Sequence, residues 1–210
     1  MRTDNWKTTT LLAIGIIVFI IFSLFFIDIP VARFCKSLDK NVKDIFEFIT
    51  PLGISTGYLV GSFSLFLLLK YYYRRQIYAN RALFLFASIA VSGIIAVILK
   101  WVMGRFRPKV LFEGDLYGFN FFATIYEKTS FPSGHAATAF SLALALSLFF
   151  PRYRILLFAF ALIVGASRVI IASHYLSDMA GGAFVAVMTV FFLRKGINLL
   201  ERKGFHKLSI

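Results

Sequence analysis

Three short stretches carry residue types that could do chemistry. The first is "KWVMGRFRP", with cations at Lys100, Arg105 and Arg107. The second is "FPSGHA", with Pro132, Ser133, Gly134 and His135, standing at the start of an apolar run. The third is "SRVIIASHYLSD", with Arg168, His174 and Asp178. His174 and Asp178 are spaced i, i+4, so on a helix they share a face and can hydrogen-bond. A carboxylate on one ring nitrogen fixes the tautomer and makes the other nitrogen a better nucleophile or base. Pro suits a first helical turn, Ser an N-cap, and Gly a close approach to the backbone. The helix start in "FPSGHA" therefore offers N–H groups and a positive dipole end to an anion.

Each stretch alone has a plainer reading. Cations at helix ends are often snorkelling anchors, Pro and Ser are ordinary helix starters, and an interfacial histidine is often simply satisfied. As a set they suit phosphoryl transfer, which runs mostly on positioning and charge stabilisation. No second carboxylate joins Asp178 to make a Mg²⁺ or Zn²⁺ site, so no metal or other cofactor is expected. On an unbroken helix Arg168 and His174 would lie about 120° apart. A bend near Ala172–Ser173 is needed to bring both to one pocket.

The elements that must position these residues are set by composition. Of 210 residues 59% are hydrophobic and only 16% charged, too little charge for a soluble domain of this size. Long apolar stretches run from Thr8 to Ile27, Phe48 to Leu69, Ala82 to Leu99 and Thr129 to Pro151. The stretch from Ile155 to Leu193 is long enough for two further spans, since one span takes roughly 20 residues of helix. Helices or a closed barrel are the options inside lipid, and the runs lack the alternation of barrel strands. The expectation is an all-α polytopic membrane protein of six transmembrane helices, one domain over residues 1–210. The first run lacks a clear cleavage site and is expected to stay attached. The single Cys35 reads as a packed or interfacial thiol.

With six spans both termini share a side. That side carries 13 of the Lys and Arg residues against two acids, and the other side 10 against eight. The cation excess marks cytoplasmic loops, so both termini are expected inside and the three stretches at the outer face. The formal net charge of +13 then reports orientation and calls for no nucleic-acid partner.

The pattern K-x6-RP, PSGH, SR-x5-H-x3-D resembles the signature of the type 2 phosphatidic acid phosphatase superfamily. All eleven fixed positions are present in order between residues 100 and 178. The resemblance implies a metal-independent phosphatase. His174 would be the nucleophile that forms a phosphohistidine, Asp178 would orient it, and His135 would protonate the leaving oxygen. Lys100, Arg107 and Arg168 would hold the phosphate oxygens, with Ser133 and Gly134 adding contacts. Arg105 stands outside the fixed pattern, as a possible auxiliary cation.

An outer-leaflet site argues for a lipid phosphate or diphosphate substrate. Undecaprenyl diphosphate, phosphatidylglycerophosphate, phosphatidic acid and lipid A are the bacterial candidates. The absence of an N-x-S/T sequon favours a bacterial inner membrane. A lipid phosphotransferase using the same intermediate is the alternative, and a non-enzymatic lipid or anion transporter a remote one. Three further segments invite readings. The aromatic loop 109–130 could be a lid or groove wall, with an interfacial belt the simpler account. "DKNVKDIFEFI" (39–49) reads as an amphipathic surface helix or a brace. The basic C-terminal stretch from Arg194 could lie on anionic lipid.

Overall fold

Backbone groups within apolar runs have no water to bond to, so the runs fold as helices that satisfy them internally. The structure, a computed structural model, describes residues 6–202. Helix α1 (Trp6–Phe22) passes through one π turn (Ser23–Ile27) into α2 (Asp28–Ser37). Helix α3 (Lys40–Ile49) starts at Asp39, whose side chain accepts from the Asn41 N–H at 2.7 Å. A 3-10 turn (Thr50–Gly53) leads on to α4 (Ser55–Leu67), then α5 (Gln76–Met103) and the short α6 (Pro108–Gly114). Helices α7 (Gly134–Phe149), α8 (Arg154–Ile170) and α9 (Leu176–Arg202) complete the bundle. Among the described residues the one β feature is an isolated bridge between Arg105 and Phe119.

Among the described residues five helical segments are long and apolar enough to cross a membrane: 6–37, 40–72, 76–103, 151–170 and 176–201. Helix α7 falls short of that length at 16 residues, about 24 Å against a hydrocarbon core of ~30 Å. It is the central helix all the same, packed by α5, α8 and α9. Ala136, Ala139 and Ala143 are buried on it and meet Ala161 and Val164 of α8 and Met179 and Ala186 of α9. Small residues let helices approach closely where lipid gives no hydrophobic drive for association. Large apolar side chains point outward instead, such as Ile94, Val97 and Ile98 on α5 and Ile155 and Leu156 on α8. The chain is a multi-pass helical membrane protein.

Cys35 is a buried free thiol in the core around α7. Helix α3 serves as a brace on α8, and just beyond its end Thr50 Oγ1 hydrogen-bonds Ser167 Oγ at 2.9 Å. It also exposes Ile45 and Phe48 on its other side. The basic C-terminal stretch lies outside the described residues from position 203 onward.

Candidate active site

Helix α5 delivers Lys100 in its last turn and ends at Gly104, which takes the left-handed conformation (φ 49°). A Cβ there would also collide with the Asn120 carbonyl, so the turn needs glycine. Beyond it Arg105 and Arg107 run in a strand-like segment fixed by the aromatic loop. The Phe106 N–H donates to Gly118 O (3.1 Å), Arg107 N–H to Glu127 O (2.8 Å) and Ser130 N–H to Arg105 O (2.9 Å). Loop 109–130 is thereby pinned along the site as a wall. Phe121 and Phe122 face outward from it, and Phe122 stacks edge-on against Trp101.

The chain bends where Arg168 and His174 require it, at Ala172, with φ 53°. One expectation needs correction here. His174 and Asp178 do not share a helix: α8 ends at Ile170, His174 sits in the turn, and Asp178 lies in the first turn of α9. The bend that brings Arg168 toward the site removes His174 from the helix. The pair still meets, with His174 Nδ1 at 3.4 Å from Asp178 Oδ2. Ser130 Oγ stands beside both, 2.5 Å from Asp178 Oδ2 and 3.3 Å from His174 Nδ1. On the far side of the ring, Nε2 lies 3.4 Å from Arg107 Nη1. A guanidinium only donates, so Nε2 carries the lone pair and Nδ1 the proton. The ring is buried. Burial first, then the charges of Lys100 and Arg107, push the His174 pKa down to about 3, against the opposing pull of Asp178. His174 is therefore neutral at neutral pH, the form that can attack an electrophile.

The Arg107 guanidinium is held in place by backbone carbonyls. Its Nε donates to Tyr126 O (2.8 Å), Nη1 to Ser173 O (3.0 Å) and Nη2 to Thr129 O (3.3 Å). Lys100 Nζ donates to the Thr129 and Ser130 carbonyls at 2.9 and 3.3 Å. Arg168 is partly buried, and its Nε is a buried donor with no partner among the described residues. Ser133 is the N-cap of α7, accepting from the Ala136 N–H, and its own N–H donates to Asp178 O at 2.9 Å. The space where a Cβ would stand at Gly134 is open. His135 lies in the first turn of α7 with Gly53 directly against its ring. The charges of Arg168, Lys100 and Arg107 all act on that ring. The eight residues singled out by type and spacing thus come to one place.

Arg105 does not join them as an auxiliary cation at the site. It is fully buried behind Asp178, with Nη1 donating to Asp178 Oδ1 (2.5 Å) and Nη2 to Asp28 Oδ2 (2.7 Å). Burial opposes its charge, but Asp178 and Asp28 outweigh burial and raise its pKa above the ordinary value. Tyr117, Phe119 and Tyr175 surround the guanidinium. Sequence reasoning missed Asp28, Ser130, Ser177 and Tyr117. Asp28 did leave a signal: it is a lone acid at the end of the first apolar run, where an ionisable group calls for a partner. Among the described residues no three His, Cys, Asp or Glu side chains cluster as metal ligands would.

Several known proteins are related to this chain in sequence or in fold. The family model of the PAP2 superfamily matches residues 81–201, more than half of the chain. A lipid A 1-phosphatase of Rhizobium etli is 30% identical over 190 residues, covering 83% of this chain and 81% of that protein. A second lipid A 1-phosphatase, of Rhizobium johnstonii, is 30% identical over 193 residues, covering 85% and 78%. The bacitracin transport permease protein BcrC of Bacillus licheniformis is 28% identical over 159 residues, covering 71% and 77%. Among solved structures, LpxE of Aquifex aeolicus matches with a TM-score of 0.58 at 23% identity, covering 80% of this chain and 95% of that one. The PAP2-type phosphatidylglycerolphosphate phosphatase of Bacillus subtilis matches with a TM-score of 0.55 at 20% identity, covering 89% and 96%. The chain belongs to the PAP2 superfamily and is a phosphatase, a hydrolase of phosphoric monoesters.

Proposed function

We propose that this protein removes phosphate from a membrane lipid through a phosphohistidine on His174. A lipid A-type 1-phosphate is the first substrate to test, because two relatives at 30% identity carry that activity in their names. The observation that carries the mechanism is the His174 ring, buried, with Nδ1 toward Asp178 and Nε2 toward Arg107. In the first step His174 Nε2 attacks phosphorus and the bond from phosphorus to the lipid oxygen breaks. His135, entering as the imidazolium once the phosphate's negative charge is bound, gives its proton to that oxygen and is left neutral. The Nδ1 proton stays on the ring, and Asp178 balances the positive phosphoimidazole. Lys100, Arg107 and Arg168 hold the phosphate oxygens, together with the Ser133 hydroxyl and the Gly134 N–H at the start of α7. In the second step water attacks phosphorus, returns a proton to His135 and frees neutral His174.

Five long apolar helices and the central α7 support six crossings with both ends of the chain on one side. The excess of Lys and Arg on that side supports its being cytoplasmic, in a bacterial inner membrane. The site then opens toward the periplasm or cell exterior, where a lipid headgroup meets it while the chains stay in the bilayer. A reaction with no catalytic metal should continue in EDTA.

The test is phosphate release by detergent-purified protein in EDTA. Lipid A, phosphatidylglycerophosphate, undecaprenyl diphosphate and phosphatidic acid are offered side by side. Release from lipid A is expected, with none from the His174→Ala variant, together with an acid-labile, alkali-stable labelled phosphoenzyme in wild type. Substantial turnover by His174→Ala would remove it as nucleophile. Loss of lipid phosphate without free phosphate, dependent on an acceptor lipid, would identify a phosphotransferase.

A further inference from the structure

Asp28 and Arg105 are the largest chemical investment in the fold that the proposed reaction does not use. Both side chains are fully buried, yet neither belongs to the phosphate pocket. Asp28 Oδ1 accepts from Ser23 Oγ (2.7 Å) and from the Ser177 N–H (3.0 Å) at the start of α9. Its Oδ2 accepts from Arg105 Nη2 (2.7 Å) and Ser177 Oγ (2.5 Å), with the Tyr117 hydroxyl at 3.2 Å. The π turn at Ser23–Ile27 ends where Asp28 begins α2. An extra residue in a helical turn resets which face the next side chain takes. Asp28 lies outside residues 81–201 that match the family model, so this contribution comes from the N-terminal helices.

The charges decide what the arrangement does. Arg105 alone beside Asp178 would make a neutral pair and cancel the negative charge that His174 needs opposite its Nδ1. Asp28 adds a second carboxylate on the far side of the same guanidinium. The three side chains then carry a net charge of −1, inside a box of Tyr117, Phe119 and Tyr175 that keeps water away. In such a dry setting uncancelled charge acts strongly at short range.

We infer that Asp28 and Arg105 are positioning residues for the His174–Asp178 pair: Arg105 fixes the Asp178 carboxylate, and Asp28 neutralises Arg105 so that Asp178 keeps its charge toward His174. The inference rests on the phosphohistidine reading above. The plainer role is a staple joining α2, the α5–α6 turn and α9, in which case the charges would not matter as charges.

A double-mutant cycle separates the two. Asp28→Asn leaves Arg105 and Asp178 as a neutral pair. Asp28→Asn combined with Arg105→Gln removes one charge of each sign and restores −1, with a neutral amide in place of the guanidinium. For Asp28→Asn, kcat is expected to fall about 10- to 100-fold, by analogy with the loss of outer partners of metal-bound histidines. KM should stay close to wild type, since a loss confined to the transition state shows in kcat. The double variant is expected to regain about ten-fold over the single one, as coupling between contacting residues allows. Wild-type kcat in Asp28→Asn, or a double variant no faster than the single, would overturn the inference. Thermal unfolding and size exclusion in detergent check the fold of each variant. If Asp28→Asn does not accumulate folded, the double variant decides alone. Activity well above that of Asp178→Asn upholds the charge role, and activity as low as that variant overturns it. Wild-type phosphoenzyme, absent from His174→Ala, is measured alongside. Its failure would sink the phosphohistidine reading, whereas its presence with an unaffected Asp28→Asn sinks only the inference about Asp28.

Discussion

Gly53 offers a way to displace one proposed catalytic group without touching its chemistry. It ends the 3-10 turn before α4, and a Cβ built there would stand 2.6 Å from His135 Cδ2, 2.8 Å from Cβ and 2.9 Å from Cγ. Carbon atoms rest at roughly 3.5–4.0 Å, so Gly53→Ala must move the imidazole by about 1 Å. Because the crowded atoms include His135 Cβ, swinging the ring about its own bonds cannot relieve all of the clash. A misplacement of about 1 Å can cost a reaction about 100-fold, or ~2.7 kcal/mol at 1.36 kcal/mol per decade. If His135 protonates the leaving oxygen, the penalty depends on how much that oxygen needs the proton. The assay is the single-turnover rate of phosphoenzyme formation with two substrates, a lipid phosphate and an aryl phosphate whose phenolate leaves unaided. Gly53→Ala should slow the lipid reaction about 100-fold and the aryl reaction far less. Equal losses on both would show a general distortion of the site. No loss on either would refute the reasoning that places His135 as the acid against Gly53.

Asp178→Asn should slow turnover while leaving affinity for a phosphate analogue such as vanadate nearly unchanged; wild-type rates would remove its orienting role. The same change breaks a fully buried ion pair with Arg105, which typically costs about 3–5 kcal/mol, read as a drop in thermal stability in detergent. An undiminished melting temperature would mean that the pair does not hold the fold. His174 also predicts a pH effect. Its pKa is lowered in the folded protein to about 3 from an ordinary 6.5, chiefly by burial. A group shifted this way favours the fold above pH 6.5, and that contribution is lost as pH falls from 6.5 toward 3. Wild type should therefore lose more stability than His174→Gln between pH 7 and pH 4, and parallel curves would contradict a buried neutral ring.

Much of the site could be read from residue types alone, because lipid makes charge conspicuous. Lys100, Arg107, Arg168, His174 and Asp178 stand out in apolar surroundings, and Ser133–Gly134 announce a helix start by local backbone preference. Those signals are local in the chain, and so were the helices they predicted. The bend at Ala172 was needed on angular grounds. That it would take His174 off the helix altogether was not legible, since spacing of i, i+4 looks the same across a turn as along a helix. The aromatic loop was undecided between lid, wall and belt. Its backbone bonds to residues 102–107 make it a wall, and no pattern of Phe and Tyr encodes such bonds.

The misreading of Arg105 shows where sequence stops. Two residues separate its role from that of Arg107 in no visible way: both are arginines, at adjacent odd positions in one extended segment. Tertiary packing turned one toward His174 and the other back onto Asp28, 77 positions away in the chain. The sequence by itself determined that this protein is a bundle of lipid-spanning helices, and which side chains could handle phosphate, because hydropathy, capping and residue chemistry are properties of a few neighbouring residues. Which buried charge neutralises which depends on helices from both ends of the chain meeting at one point, and only the folded structure decides that.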